Sequence, residues 1–164
     1  MAPHLKLNAV AFISPHNHPI LIRTFSGQDG NAIKYHYIAH TSLDVIEERV
    51  NTAGKAVECY LGLLYAMEGV AVYGYITPLK VKIIVALALS DSVVRDAEIS
   101  MIFKAFHMAY YSAISNPFLR LDSYSDTTSD HSPYLLVGNA KWKSFRQKVD
   151  EIGRVVSNAS NTNT

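Results

Sequence analysis

The chain has 164 residues, 49% of them hydrophobic and 18% charged, which is enough apolar material for one packed core of ordinary domain size. Fifteen Lys plus Arg against fourteen Asp plus Glu leave a formal charge of +1, so the broad basic footprint that nucleic-acid binding demands is missing and a DNA or RNA role is disfavoured. The one cysteine, Cys59, allows neither an internal disulfide nor a multi-cysteine zinc site, and such cysteine poverty suits the reducing cytosol.

The N-terminus lacks the basic start and apolar run of a secretory signal, so export by that route is not expected. Two short apolar runs come first, Leu7 to Ile13 and Ile20 to Arg23, and the Ser14–Pro19 segment between them carries two prolines and an asparagine, which predicts a hairpin. Ser26 to Asn31 reads as a loop. From Ala32 to about Val50 no Gly or Pro intervenes while apolar residues recur at helical spacing, the mark of a first helix.

Tyr60 to Tyr65, Val70 to Thr77 and Val81 to Leu89 are rich in Val, Ile, Leu and Tyr and are punctuated at Glu68-Gly69 and Pro78, so they predict an antiparallel meander. The last run is apolar at nearly every position. That is the signature of a central strand covered on both faces, so helices must lie on both sides of the sheet, and with Lys82 inside it the run is too short to cross a bilayer as a helix. Ser92 to Ser115 supplies a second helix with an apolar stripe of Ile99, Ile102, Phe103, Phe106, Tyr110 and Ile114, ended by Asn116-Pro117. Residues 121–132 read as an exposed polar loop and Tyr134 to about Val156 as a third helix weakened by Gly138 and Gly153. The expectation is a single domain over 1–156 followed by a disordered polar tail, 157–164.

No catalytic constellation emerges from the residues. His36 and His40 share a helical face but lack the Glu of an H-E-x-x-H pair and a third ligand, so no metal is expected. There is no nucleophile elbow, Cys59 has no histidine beside it and reads as a small buried thiol, and Gly27 to Gly30 lacks the features of a phosphate loop. Neither a cofactor nor a nucleotide site is indicated. Glu47 and Glu48 read as a solvated face, and Lys141, Lys143, Arg146 and Lys148 as the exposed side of an amphipathic helix.

The first helix is the anomaly. Wound at about 100° per residue, it puts Tyr35, Ala39, Leu43, Ile46 and Val50 on one face, the one assigned to the sheet. The opposite face carries Ile33, Tyr37, His40 and Asp44. An Ile and a Tyr aligned with a His and an Asp form a candidate contact surface with an apolar centre and polar orienting groups, set against the ordinary alternative of scattered exposed apolar residues.

Lys34 to Glu48, then Tyr60-Leu61-Gly62-Leu63-Leu64-Tyr65, Val72-Tyr73-Gly74-Tyr75, Arg95-Asp96 with Glu98-Ile99, and Asn116-Pro117-Phe118 together resemble the sedlin-related, subunit 2-like members of the transport protein particle (TRAPP) complex. The resemblance spans about residues 7 to 120; Trp142, Phe145, Val149 and Ile152 match the family's last helix in pattern only. It implies an α/β longin (SNARE-like) fold, a five-stranded antiparallel sheet with helix one on one face and the two C-terminal helices on the other. It also implies a non-catalytic adaptor in a tethering complex that activates a Rab-type GTPase in traffic between endoplasmic reticulum, Golgi and endosomes. Its partners would be other small TRAPP subunits and a large one, with the Rab reached only indirectly and membranes only peripherally. Asp44 matches the Asp of the family's Leu-Asp pair, which contacts large partner subunits. Two other readings stay open: a different longin-domain trafficking protein such as a clathrin-adaptor small chain, and a small-ligand sensor on the same sheet. An R-SNARE is disfavoured because no coiled-coil heptads or terminal apolar anchor follow the domain.

Overall fold

A computed structural model describes residues 5–25, 28–53, 58–89, 94–116 and 143–159. In chain order these form β1 (Leu7–Ile13), β2 (Pro19–Thr24), a short 3-10 turn (Gln28–Asn31), α1 (Ala32–Ala53), β3 (Tyr60–Met67), β4 (Val70–Ile76), β5 (Lys82–Ala88), α2 (Asp96–Ile114) and α3 (Lys143–Ala159). The five strands make one antiparallel sheet in the order β2-β1-β5-β4-β3. The continuously apolar run therefore does supply a central strand.

Alternation along β5 shows how the two faces are served. Ile83, Val85 and Leu87 pack with Leu7, Val10 and Phe12 under α2 and α3, whereas Ile84 and Ala86 pack with Ala9, Ala11, Val72 and Ile76 under α1. Among the described residues α1 thus covers one face, and α2 with α3 covers the other, the longin-type arrangement. The second core is aromatic: Phe12 stands edge-on to Phe106 (5.9 Å) and Phe145 (5.1 Å), and Tyr110 packs against both Phe12 and Phe145. These contacts seat the predicted stripe of α2 and position α3 through Phe145 and Val149, both fully buried.

Turn chemistry explains the hairpins. Glu68 and Gly69 both take positive φ (49° and 79°), the two-residue geometry whose twist matches that of the flanking strands, so the predicted punctuation at Glu68-Gly69 is a tight β3–β4 turn. The edge strand β2 is tied to α3 by a bidentate Arg23–Asp150 pair, at 3.0 Å from Nε and 2.7 Å from Nη2.

Three expectations need correction or fall outside the described residues. Cys59 is exposed, not buried, because it precedes β3 at the margin of the sheet; its carbonyl accepts the Ile76 amide at 2.8 Å, which fixes the backbone without enclosing the thiol. The third helix runs on to Ala159, so residues 157–159 do not belong to a disordered tail, and the Ser157 hydroxyl donates to the Gly153 carbonyl at 3.0 Å. The polar loop expected at 121–132 and the start of the helix expected from Tyr134 lie outside the described residues.

Candidate partner interface

The outer face of α1 is the feature most in need of explanation. Its inner face buries Tyr35, Ile38, Ala39, Ser42 and Ile46, with Leu43 and Val50 partly covered, as its apolar periodicity predicts. On the opposite side the structure brings all four predicted residues into one exposed row: Ile33 is 87% exposed, Tyr37 is 62% exposed, and His40 and Asp44 are exposed beyond them. An isoleucine so far in water loses about the whole transfer free energy its burial would give, on the order of 2 kcal/mol. A partner surface would recover it.

The row is held on a helix that is fastened along its length to the edge strand β3 and to the turn that follows it. Near its start, Lys34 pairs with Glu68 at 3.3 Å, an exposed contact worth little energetically. At its middle, the Tyr65 hydroxyl donates to the Ile38 carbonyl at 2.9 Å, and the buried Ser42 hydroxyl donates to the same oxygen at 2.7 Å. Burial pushes the Tyr65 phenol above its ordinary pKa, so this donor keeps its proton. Toward the end, the Arg49 guanidinium donates to the Leu61 and Leu63 carbonyls at 2.5 and 2.6 Å, charge-assisted bonds that also occupy two acceptors of β3. A helix fixed at three places offers its outer row already in one geometry, which lowers the entropic cost of docking.

The Sedlin family model matches residues 12–132. The chain belongs to the sedlin family. Relatives of this sedlin-family chain include a cattle protein named trafficking protein particle complex subunit 2-like protein, 42% identical over 113 residues that make up 66% of this chain and 80% of the relative. The protein of the same name from Xenopus tropicalis is 43% identical over a stretch of the same length, and that of Dictyostelium discoideum 38% identical over 121 residues, 72% of this chain and 86% of the relative.

Other candidate chemistry in this sedlin-family chain is sparse. His36 and His40 are both exposed on α1, and among the described residues no group of three His, Cys, Asp or Glu is placed to hold a metal ion. No helix among them is long and apolar enough to cross a membrane. Glu47 and Glu48 are exposed, as are Lys143 and Lys148, whereas Arg146, expected on the same exposed side, is half-buried and Lys141 lies outside the described residues.

Reading the sequence alone missed a second apolar row. On the outer side of α2, Met101, Met108 and Tyr111 are all more than half exposed. These residues recur at i, i+7 and i+10, which is one helical face, but the denser buried stripe dominates the apolar pattern of the same helix. Also missed was the link from Tyr60 to the start of α2, whose phenol donates to Asp96 at 2.9 Å and whose pKa is raised by burial and by that carboxylate.

Proposed function

We propose that this sedlin-family chain is a non-catalytic adaptor subunit of a TRAPP-type tethering complex, held there in part by the outer face of α1. The relatives named as complex subunits support membership. The observation that carries the adaptor role is the exposed Ile33–Tyr37–His40–Asp44 row on a helix fastened to β3. In this reading the assembled complex acts as an exchange factor for a Rab-type GTPase in traffic between endoplasmic reticulum, Golgi and endosomes. This chain contributes assembly contacts with other small subunits and with a large one. It works from the cytoplasm, meets membranes only peripherally through the complex, and needs no cofactor.

The test is affinity purification of the full chain from its native cell, read by mass spectrometry, beside a melting curve for each variant. Asp44→Lys should leave the fold intact, since surface substitutions typically change stability by about 0.5 kcal/mol or less. It should weaken capture of one large subunit, by about 2–5 kcal/mol if its partner cation is buried and less at a rim. Tyr37→Ala should weaken the same partner, as loss of an aromatic anchor does. Ile38→Ala, on the buried face, should instead cost about 2–5 kcal/mol of stability. If Asp44→Lys and Tyr37→Ala both capture every subunit like the wild type, this face is not the docking surface. If the wild type brings down no TRAPP-type subunit, membership itself is wrong.

A further inference from the structure

Beside the C-terminal half of α1, a cleft of about 340 Å³ opens toward the turns that join β1 to β2 and β4 to β5. Its lining is apolar on the helix and sheet side, from Leu43, Ile46 and Val50 of α1 and Ile76 of β4. The charges around it are Lys80, Lys82 and Glu47, an excess of one positive charge.

The walls are fixed. In the first turn the Ser14 amide donates to the His18 carbonyl at 2.8 Å and the His18 amide to the Ser14 hydroxyl at 3.0 Å. In the second the Thr77 amide donates to the Val81 carbonyl at 2.9 Å and the Val81 amide to the Thr77 hydroxyl at 3.1 Å. The Lys82 ammonium, from the first residue of β5, donates to Asn17 Oδ1 and so ties the β1–β2 turn to β5. Lys80 sits at φ 67°, in the left-handed region that glycine enters freely and a lysine enters only at a cost. A long cationic side chain is thus kept at the cleft where the backbone would favour glycine.

We propose that this cleft docks a short acidic and apolar segment of a protein partner. One apolar side chain enters against Leu43, Ile46, Val50 and Ile76, and a neighbouring carboxylate meets Lys80 and Lys82. The volume accommodates a side chain or two, and the choice of occupant rests on charge: two lysines against one glutamate leave one positive charge to orient a carboxylate beside an apolar side chain. Burial lowers the Lys82 pKa while Glu47 works against that, and an incoming carboxylate supplies the partly desolvated ammonium with a second counter-charge. The occupant's being a protein rests on the adaptor reading. The cleft itself does not, since it uses none of Ile33, Tyr37, His40 or Asp44.

The probe is a capped six-residue peptide, Gly-Asp-Leu-Phe-Glu-Gly, titrated into the full chain while the methyl signals of Leu43, Val50 and Ile76 are followed by NMR. Two control peptides replace the acids by Asn and Gln, or Leu-Phe by Ala-Ala, and decanoate tests a free amphiphile. The acidic peptide should move those signals, and either control should bind about tenfold more weakly, the effect of losing one good contact. Lys80→Gly should weaken the acidic peptide about tenfold while its melting temperature stays level or rises, because the left-handed strain is relieved. Glu47→Gln should tighten binding. No movement of these methyls at millimolar peptide, equal binding of the neutral control, or weaker binding in Glu47→Gln overturns the proposal, and decanoate binding without peptide binding reassigns the cleft to a small amphiphile and overturns it too. Asp44→Lys should bind the peptide like the wild type. Loss of complex capture with peptide binding intact therefore counts against the adaptor surface alone, and the reverse pattern against the cleft alone.

Discussion

Gly153 offers a test in which two well-known effects oppose each other. It lies inside α3, where replacing glycine by alanine ordinarily stabilises a helix by about 0.8–1 kcal/mol. Here a Cβ would stand 2.5 Å from Cε1 and 2.6 Å from Cδ1 of Phe25, far inside van der Waals contact. The ring cannot retreat with its backbone, because the Phe25 amide donates to the Asn8 carbonyl at 2.8 Å and the residue directly follows β2. Overpacking of this kind costs about 1–3 kcal/mol, so after the helix gain Gly153→Ala should be a net loss of up to about 2 kcal/mol. For a domain of this size that is a fall of up to about 8 °C in melting temperature, read by circular dichroism. Phe25→Leu frees the space, so in the Phe25→Leu background the same glycine change should turn neutral or stabilising, a coupling of about 1–3 kcal/mol in a double-mutant cycle. If Gly153→Ala alone raises the melting temperature, the Phe25 ring is free to move and the account of how α3 seats on the sheet is wrong.

Ile84→Asp places an unpaired charge in the core under α1, where the side chain is 2% exposed; the cost can reach several kcal/mol out of a total of about 5–15, so the protein should be insoluble or unfolded, and an unchanged melting temperature would remove β5 from the sheet centre. His107, packed against the Tyr75 ring, has its pKa lowered by burial. The unfolded chain therefore binds this proton more readily: stability is fully present above about pH 6.5 and is lost as the pH falls from there through the lower folded value. Chemical denaturation across that range should show the loss, and His107→Gln should flatten it; an identical slope in the variant would assign the pH dependence to other groups.

Much of the fold was legible because each strand carries its own pattern. β1 ends where the prolines begin, β5 announces its central place by lacking a polar face, and the inner row of α1 shows in its spacing. What depends on contacts between distant segments was not legible. Gly153 looked like a flaw in a helix, yet it is the gap into which Phe25 fits from the end of β2. Cys59 looked buried by residue type, but its exposure is set by its place at the sheet margin. The outer row of α1 could be read directly, since a helix's solvent side is decided by periodicity alone. The cleft could not, because its lysines and its apolar wall come from a turn, a helix and two strands that only the sheet order brings together.

That sheet order also governs when the molecule can begin to exist. The first strand lies in the interior of the sheet, where Val10 pairs with Val85, so its second neighbour is the last strand of the five. On the ribosome, β1 and β2 have only α1 to pack against on one face, and lack β1's second sheet neighbour, until β5 emerges. Closure of so distant a pairing is slow, and Leu7, Val10 and Phe12, which face away from α1, have no cover until later elements are made. An N-terminal deletion would accordingly remove a keystone and not a fringe, since β1 is the strand that joins β2 to the rest of the sheet.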